Sequence, residues 1–184
     1  SVGDAVMAIV GGGGYAEWDA ADAREMMAAP EAVGLPDAAA IPEAFLTAFD
    51  ALIVQGGLTS GRWAFIHAGA SGVGTAAIQI AKAIGARVIA TASEHKLAAC
   101  HDLGADVVVD YRNDDPVARA KEATGAGGVH TVLDVVGADT LAANLKVAGT
   151  GARIVQVGTM AGGSGERNLG ALMMKRVALI GTVL

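Results

Sequence analysis

The chain has 184 residues, 53% of them hydrophobic and 17% charged, and its 13 basic against 19 acidic side chains leave a formal charge of −6. That is the composition of an ordinary globular chain, and its acidic balance excludes duplex nucleic acid and anionic membrane surfaces as main partners. One cysteine, Cys100, excludes an internal disulfide framework and any Cys-rich zinc module, and it fits a reducing, cytoplasmic setting.

In chain order, residues 4–10 read as strand-like, residues 11–14 are a glycine run, and residues 15–27 mix small and acidic residues. Pro30, Gly34 and Pro36 punctuate a turn before an expected helix over 37–54, interrupted near Pro42. From there short β-branched runs alternate with Ala-rich helical patterns, the mark of βαβ units and a parallel sheet. Six strands are expected at 63–67, 87–91, 106–110, 131–136, 153–157 and 178–183, with helices at 72–84, 94–103, 116–123 and 140–147. Gly85 and Gly104 sit just past two of these helices, where a C-terminus favours glycine. The fold class is therefore α/β, a doubly wound Rossmann sheet. No signal peptide is visible, and the apolar run toward Leu184 is broken by Lys175 and Arg176, so no membrane span is expected. The start at Ser1 without Met and the stop inside an apolar run give the expectation of a fragment.

The most informative stretch is an apolar strand, then Gly69-Ala70-Ser71-Gly72-Val73-Gly74, then an amphipathic helix. In a dinucleotide fingerprint the first glycine makes a tight turn, the second lets backbone approach a pyrophosphate, and the third lets helix and strand pack closely. Free N–H groups at the helix start then hold the phosphate charge. Gly69 and Gly74 fill the outer positions; Ser71 stands where the middle glycine is usual, and Gly72 supplies the close approach instead. Two rival motifs fail: G-x-S-x-G needs glycine at Val73, and no G-x-x-x-x-G-K-[ST] exists. At the second strand's tip, Thr91-Ala92-Ser93 carries no carboxylate to accept from a ribose 2′-OH. Ser93, Lys96 and Arg112 instead suit a 2′-phosphate, which points to NADPH. The bland alternative makes Ser93 a helix cap and Lys96 a solvated charge.

At these residues the chain resembles the quinone oxidoreductase (zeta-crystallin-like) branch of the medium-chain dehydrogenase/reductase superfamily. The matching blocks are Ala40-Ile41-Pro42 with Leu46-Thr47-Ala48, Ile66-His67-Ala68 through Gly74, Ala76-Ala77-Ile78-Gln79, Leu103-Gly104-Ala105, Leu133-Asp134-Val135-Val136-Gly137 and Val157-Gly158. The resemblance implies a remnant of a GroES-like catalytic domain over 1–37 and a Rossmann domain over 38–184, with the C-terminal return to the catalytic domain missing. It implies that Gly72, Val73 and Gly74 lie against the pyrophosphate, with Ser71 also among the cofactor-binding residues, and that Ser93, Lys96 and Tyr111 meet the 2′-phosphate. By the same resemblance Gly137, Gly158, Thr159 and Met160 approach the nicotinamide side, and Thr47 faces the nicotinamide ring. Zinc members of the superfamily carry a cysteine where Glu43 stands, so no metal is expected.

The implied reaction is NADPH-dependent hydride delivery to a quinone or other α,β-unsaturated carbonyl, the cofactor supplying the chemistry and the protein the placement. The alternatives are an enoyl-thioester reductase and a non-catalytic, crystallin-like NADPH-binding protein. His67 is either a hydrogen-bonded structural residue or a cofactor contact, Asp134 either touches cofactor or caps the next helix, and Cys100 is read as a small core residue. The uncharged terminal run is an exposed sheet edge that implies a homodimer in the full-length protein.

Overall fold

A computed structural model describes residues 1–184 apart from Arg167 and the side chain of Asp139. The strand-like opening is reduced to a two-stranded antiparallel ribbon of β1 (Val6–Met7) and β2 (Met27–Ala28). The helical lead-in is α1 (Leu35–Ala38), α2 (Ile41–Phe49) and a π-helical turn over Asp50–Gln55. Its break falls at residues 39–40, one turn earlier than the proline suggests, because Pro42 occupies the first turn of α2, where no N–H is needed.

Six strands follow: β3 (Trp63–Ile66), β4 (Arg87–Ala92), β5 (Val107–Asp110), β6 (Val129–Asp134), β7 (Ala148–Gln156) and β8 (Ala178–Gly181). They form one parallel sheet in the order β5-β4-β3-β6-β7-β8, so the order reverses on either side of β3. The connections are α3 (Gly72–Ala83), α4 (Leu97–Asp102), α5 (Pro116–Thr124), α6 (Leu141–Val147) and α7 (Leu169–Lys175). The expected helix over 94–103 is split, its first three residues forming a 3-10 turn. Strand β7 begins five residues before the expected 153, at Ala148, through a register shift against β6.

The period of two sorts the strands onto two faces. Ile66, Val88, Leu133 and Val155 pack with Leu52 and the α3 residues Ala76, Ala77, Ile78 and Ala81. Phe65, Ile89, Val132 and Ile154 point the other way, toward Leu141 and Leu145 of α6. The small side chains of α3 let it lie close to the sheet, so its N-terminus meets the end of β3 at the centre of the domain. That is the switch point of an open α/β sheet, the usual crevice for a ligand.

Candidate functional site

Three glycines, Gly69, Gly72 and Gly74, mark the passage from β3 into α3, and they meet different surroundings. The left-handed residue of the turn is Ala68, at φ +49°, so the tight turn expected of Gly69 is made one residue earlier. Gly69 is required by packing: a Cβ there would sit 2.8 Å from the Ala90 Cβ and 3.1 Å from the Cys100 Sγ. At Gly74 a Cβ would lie 2.7 Å from Gly69 backbone and closer still to the Ala68 carbonyl oxygen, which is the close helix–strand approach. Gly72 differs, because nothing in the chain comes within 4 Å of a Cβ placed there. Protein packing accounts for the outer glycines and leaves the space over the middle one open.

The hydrogen bonds agree. Ser71 is the N-cap of α3, its Oγ accepting from the Gly74 N–H at 3.0 Å while its own N–H donates to the Ala68 carbonyl. Among the described residues the N–H groups of Gly72 and Val73 have no partner. Two free donors at the positive end of a 12-residue helix form a cradle for an anion. The side chain of Ser71, a residue expected at the cofactor, thus turns back to cap the helix beside this cradle.

The β4 and β5 tips lie beside it. Ala92 pairs with Asp110, so Ser93 and Tyr111 each stand one residue beyond that pair, and the Tyr111 N–H donates to the Ala92 carbonyl at 3.3 Å. Ser93 is the N-cap residue of the 3-10 turn without a side-chain cap bond; its Oγ lies 3.4 Å from His95 Nδ1. Lys96 is exposed and has no acidic partner among the described residues. Tyr111 is half exposed, with the Arg112 guanidinium 5.5 Å from its ring and Arg112 Nε donating to its hydroxyl.

Thr47 is half-buried on α2 and shares a hollow of about 160 Å³ with Glu43, Val73, Val135 and Val157, on the α2 side of the glycine turn. Gly137 and Gly158 hold the loops after β6 and β7 together: a Cβ at Gly137 would come 2.6 Å from the Gly162 carbonyl oxygen, and one at Gly158 would come 2.9 Å from that of Val135. Gly137 and Thr159 border a hollow toward β8, whereas Met160, 71% exposed, turns to the opposite side and borders a cavity with His67 and Tyr111. Of the four residues expected together, Gly137 and Thr159 thus border one hollow and Met160 another.

Between these loops lies a buried polar chain that the sequence did not reveal. Asp134, fully buried, accepts from the Val136 and Gly137 N–H groups at 2.7 and 3.0 Å, from the Thr140 hydroxyl at 2.5 Å and from Asn144 Nδ2 at 2.6 Å. Asn144 Oδ1 lies 2.7 Å from His67 Nε2. Asp134 is therefore not the cap of the next helix, whose N-cap is Thr140; it closes the turn after β6 instead. Burial pushes the His67 pKa below its ordinary value, against the opposing pull of Asp134 and Asn144, so the ring is neutral. Burial also raises the Cys100 thiol, which sits in the core at 0% exposure. Among the described residues no group of three or more His, Cys, Asp or Glu comes together, and no helix is long and apolar enough to cross a membrane.

This is a Rossmann-type domain with an anion cradle at its switch point. The sequence profile of the zinc-binding dehydrogenases matches residues 72–184. The chain is 41% identical over 140 residues to NorB of the Streptomyces orinoci spectinabilin polyketide synthase system, covering 75% of this chain and 6% of that protein. It superimposes on Escherichia coli quinone oxidoreductase complexed with NADPH with a TM-score of 0.79 at 32% identity, over 88% of this chain and 50% of that one. It also superimposes on the CurK enoyl reductase with a TM-score of 0.77 at 29% identity, over 89% and 48%. The chain belongs to the zinc-binding dehydrogenase family, in the quinone-oxidoreductase-like branch of the medium-chain dehydrogenases. It spans about half the length of the single-enzyme structures it matches and a small part of the polyketide synthase. Among the described residues no side-chain cluster forms a site for the metal in the family's name.

Proposed function

We propose that this chain is the NADPH-binding part of an oxidoreductase that passes hydride to a quinone or another α,β-unsaturated carbonyl. The observation that supports the reading is the cradle at Gly72: two unpartnered N–H groups at the start of α3 and an open Cβ direction that leaves room for a ligand's close approach. When bound, the nicotinamide supplies a hydride to an electrophilic carbon. The residues around it do the placing. The Gly72 and Val73 N–H groups hold the pyrophosphate, with Gly74 letting α3 come close enough to do so. Ser93 Oγ, Lys96 Nζ and the Tyr111 hydroxyl hold the 2′-phosphate, and the lack of a carboxylate at the β4 tip favours NADPH over NADH. Thr47, beside Val73 and Val157, limits the nicotinamide end, and Gly137, Gly158 and Thr159 shape the approach to it. Met160 sits at the cavity on the opposite side. A reduced quinone takes protons from water readily, so no acid–base pair is required of this chain.

Similarity to NorB and to the CurK enoyl reductase favours a second reading, reduction of an enoyl thioester. Following NADPH oxidation by the full-length protein with a benzoquinone and with a crotonyl thioester decides between them. Faster turnover of the quinone supports the first reading and faster turnover of the thioester the second. Turnover of neither makes the protein a cofactor-binding, crystallin-like one. In the full-length protein we place a homodimer contact at β8, an edge strand whose Leu179 is 40% exposed. A monomeric mass in light scattering overturns that contact.

A further inference from the structure

On the α6 side of the sheet, a cavity of about 540 Å³ opens beside the glycine turn, walled by Phe65, His67, Thr91, Tyr111, Val117 and Val136. Its wall is mostly hydrocarbon. Tyr111 ties it to the β4 and β5 tips, since Ser93 and Tyr111 flank one strand pair. A ligand whose phosphate sits at those tips therefore has this cavity within reach for a flat ring.

His67 is the residue of interest in that wall. It is 6% exposed, and its ring is held edge-on against Phe65 with centroids 5.0 Å apart. The protons of the polar chain behind it are fixed in one direction. A carboxylate only accepts, so Asn144 turns its NH2 to Asp134 and its carbonyl oxygen to His67. His67 Nε2 then carries the proton and donates to Asn144 at 2.7 Å, which leaves the lone pair on Nδ1. Among the described residues nothing hydrogen-bonds Nδ1, and no fully buried side-chain nitrogen or oxygen lacks a partner, so Nδ1 is reached from the cavity. The chain from Asp134 thus presents one nitrogen acceptor of fixed polarity inside an apolar slot.

We propose that His67 Nδ1 reads the cofactor's base, accepting a hydrogen bond from the exocyclic amine of adenine and rejecting a base that carries a carbonyl at that position. The inference rests on the NADPH reading above and adds to it a specificity residue. A 6-oxo purine would set its oxygen against the Nδ1 lone pair. The imidazole has no way to adapt, because moving its proton to Nδ1 would leave Asn144 Oδ1 without a donor in a buried site.

The test is a titration of the chain with NADPH and with its hypoxanthine analogue, repeated on H67F. Phe keeps a flat ring against Phe65 and has no acceptor to offer the cavity. The wild-type chain is expected to prefer NADPH by about 10-fold or more, the effect of facing a buried acceptor with another acceptor. In H67F the preference falls to within about twofold, the range left when the buried mismatch is gone. In the wild-type chain the ¹⁵N resonance of His67 Nδ1 shifts on adding NADPH and not on adding the analogue, a readout that does not depend on the variant folding. Equal wild-type affinity for the two bases, or a preference that survives in folded H67F, overturns the role of His67 and leaves the NADPH reading standing. Binding of neither by folded chain overturns both.

Discussion

Asp134 ends β6 and Ser93 follows β4, two strands away in the same sheet, and their surroundings are opposite. Around Asp134 every polar atom is answered from within the chain: two backbone N–H groups, Thr140 and Asn144 converge on one carboxylate. Around Ser93 the groups are exposed, and Lys96 has no partner among the described residues. The first arrangement is satisfied within the fold, and the second stands open where we propose that the 2′-phosphate binds. Changes in the first should therefore cost stability, and changes in the second should cost binding alone.

The glycine turn divides in the same way, and it gives the largest expected effect. Gly74→Ala drives a methyl into the Ala68 and Gly69 backbone, which cannot retreat as a flexible side chain can, and should cost about 3 kcal/mol or more by urea unfolding. Gly72→Ala meets open space and should stay within about 0.5 kcal/mol of wild type while weakening NADPH. Equal stability losses at the two glycines would dissolve the distinction. Asp134→Ala strands four donors in a buried site and should cost about 3 kcal/mol in the same assay. Lys96→Ala should leave the unfolding midpoint unchanged and weaken NADPH by about 1–3 kcal/mol, the scale of a charge-assisted bond, while sparing NADH. Equal loss for both cofactors would remove Lys96 from the 2′-phosphate.

The smallest effect concerns pH. His67 has a pKa below its unfolded value of 6.5, so the unfolded chain binds the proton first as pH falls. Its contribution to stability is full above that value and is lost below it, at a slope of up to about 1.4 kcal/mol per pH unit. Thermal melts at successive pH values should show a shallower acid loss in H67Q than in wild type. Parallel curves would mean that the imidazole protonates freely in the folded chain.

The alternation of β-branched runs with Ala-rich stretches made the six strands legible, because a parallel sheet buried on both faces writes each strand as a short apolar block. The glycine spacing likewise announced the helix start at Gly72. Helix α7 was not legible: Gly165 and Gly170 lie around its start, and the signal that identifies it is Asn168, whose side chain accepts from the Ala171 N–H at 2.9 Å. The left-handed turn fell on Ala68, where no residue type advertises it. The polar chain from His67 to Asp134 was out of reach because its first bond joins residues 77 apart in sequence. Asn144 reads as an ordinary residue of an amphipathic helix until the sheet brings β3 and β6 side by side.

The most direct test of the account is a paired titration of this chain with NADPH and NADH, following cofactor fluorescence and calorimetric heat. Tighter binding of NADPH is the predicted result, since it requires both the Gly72 cradle and the Ser93, Lys96 and Tyr111 rim. Equal affinities, a preference for NADH, or no binding of either by folded chain would contradict it.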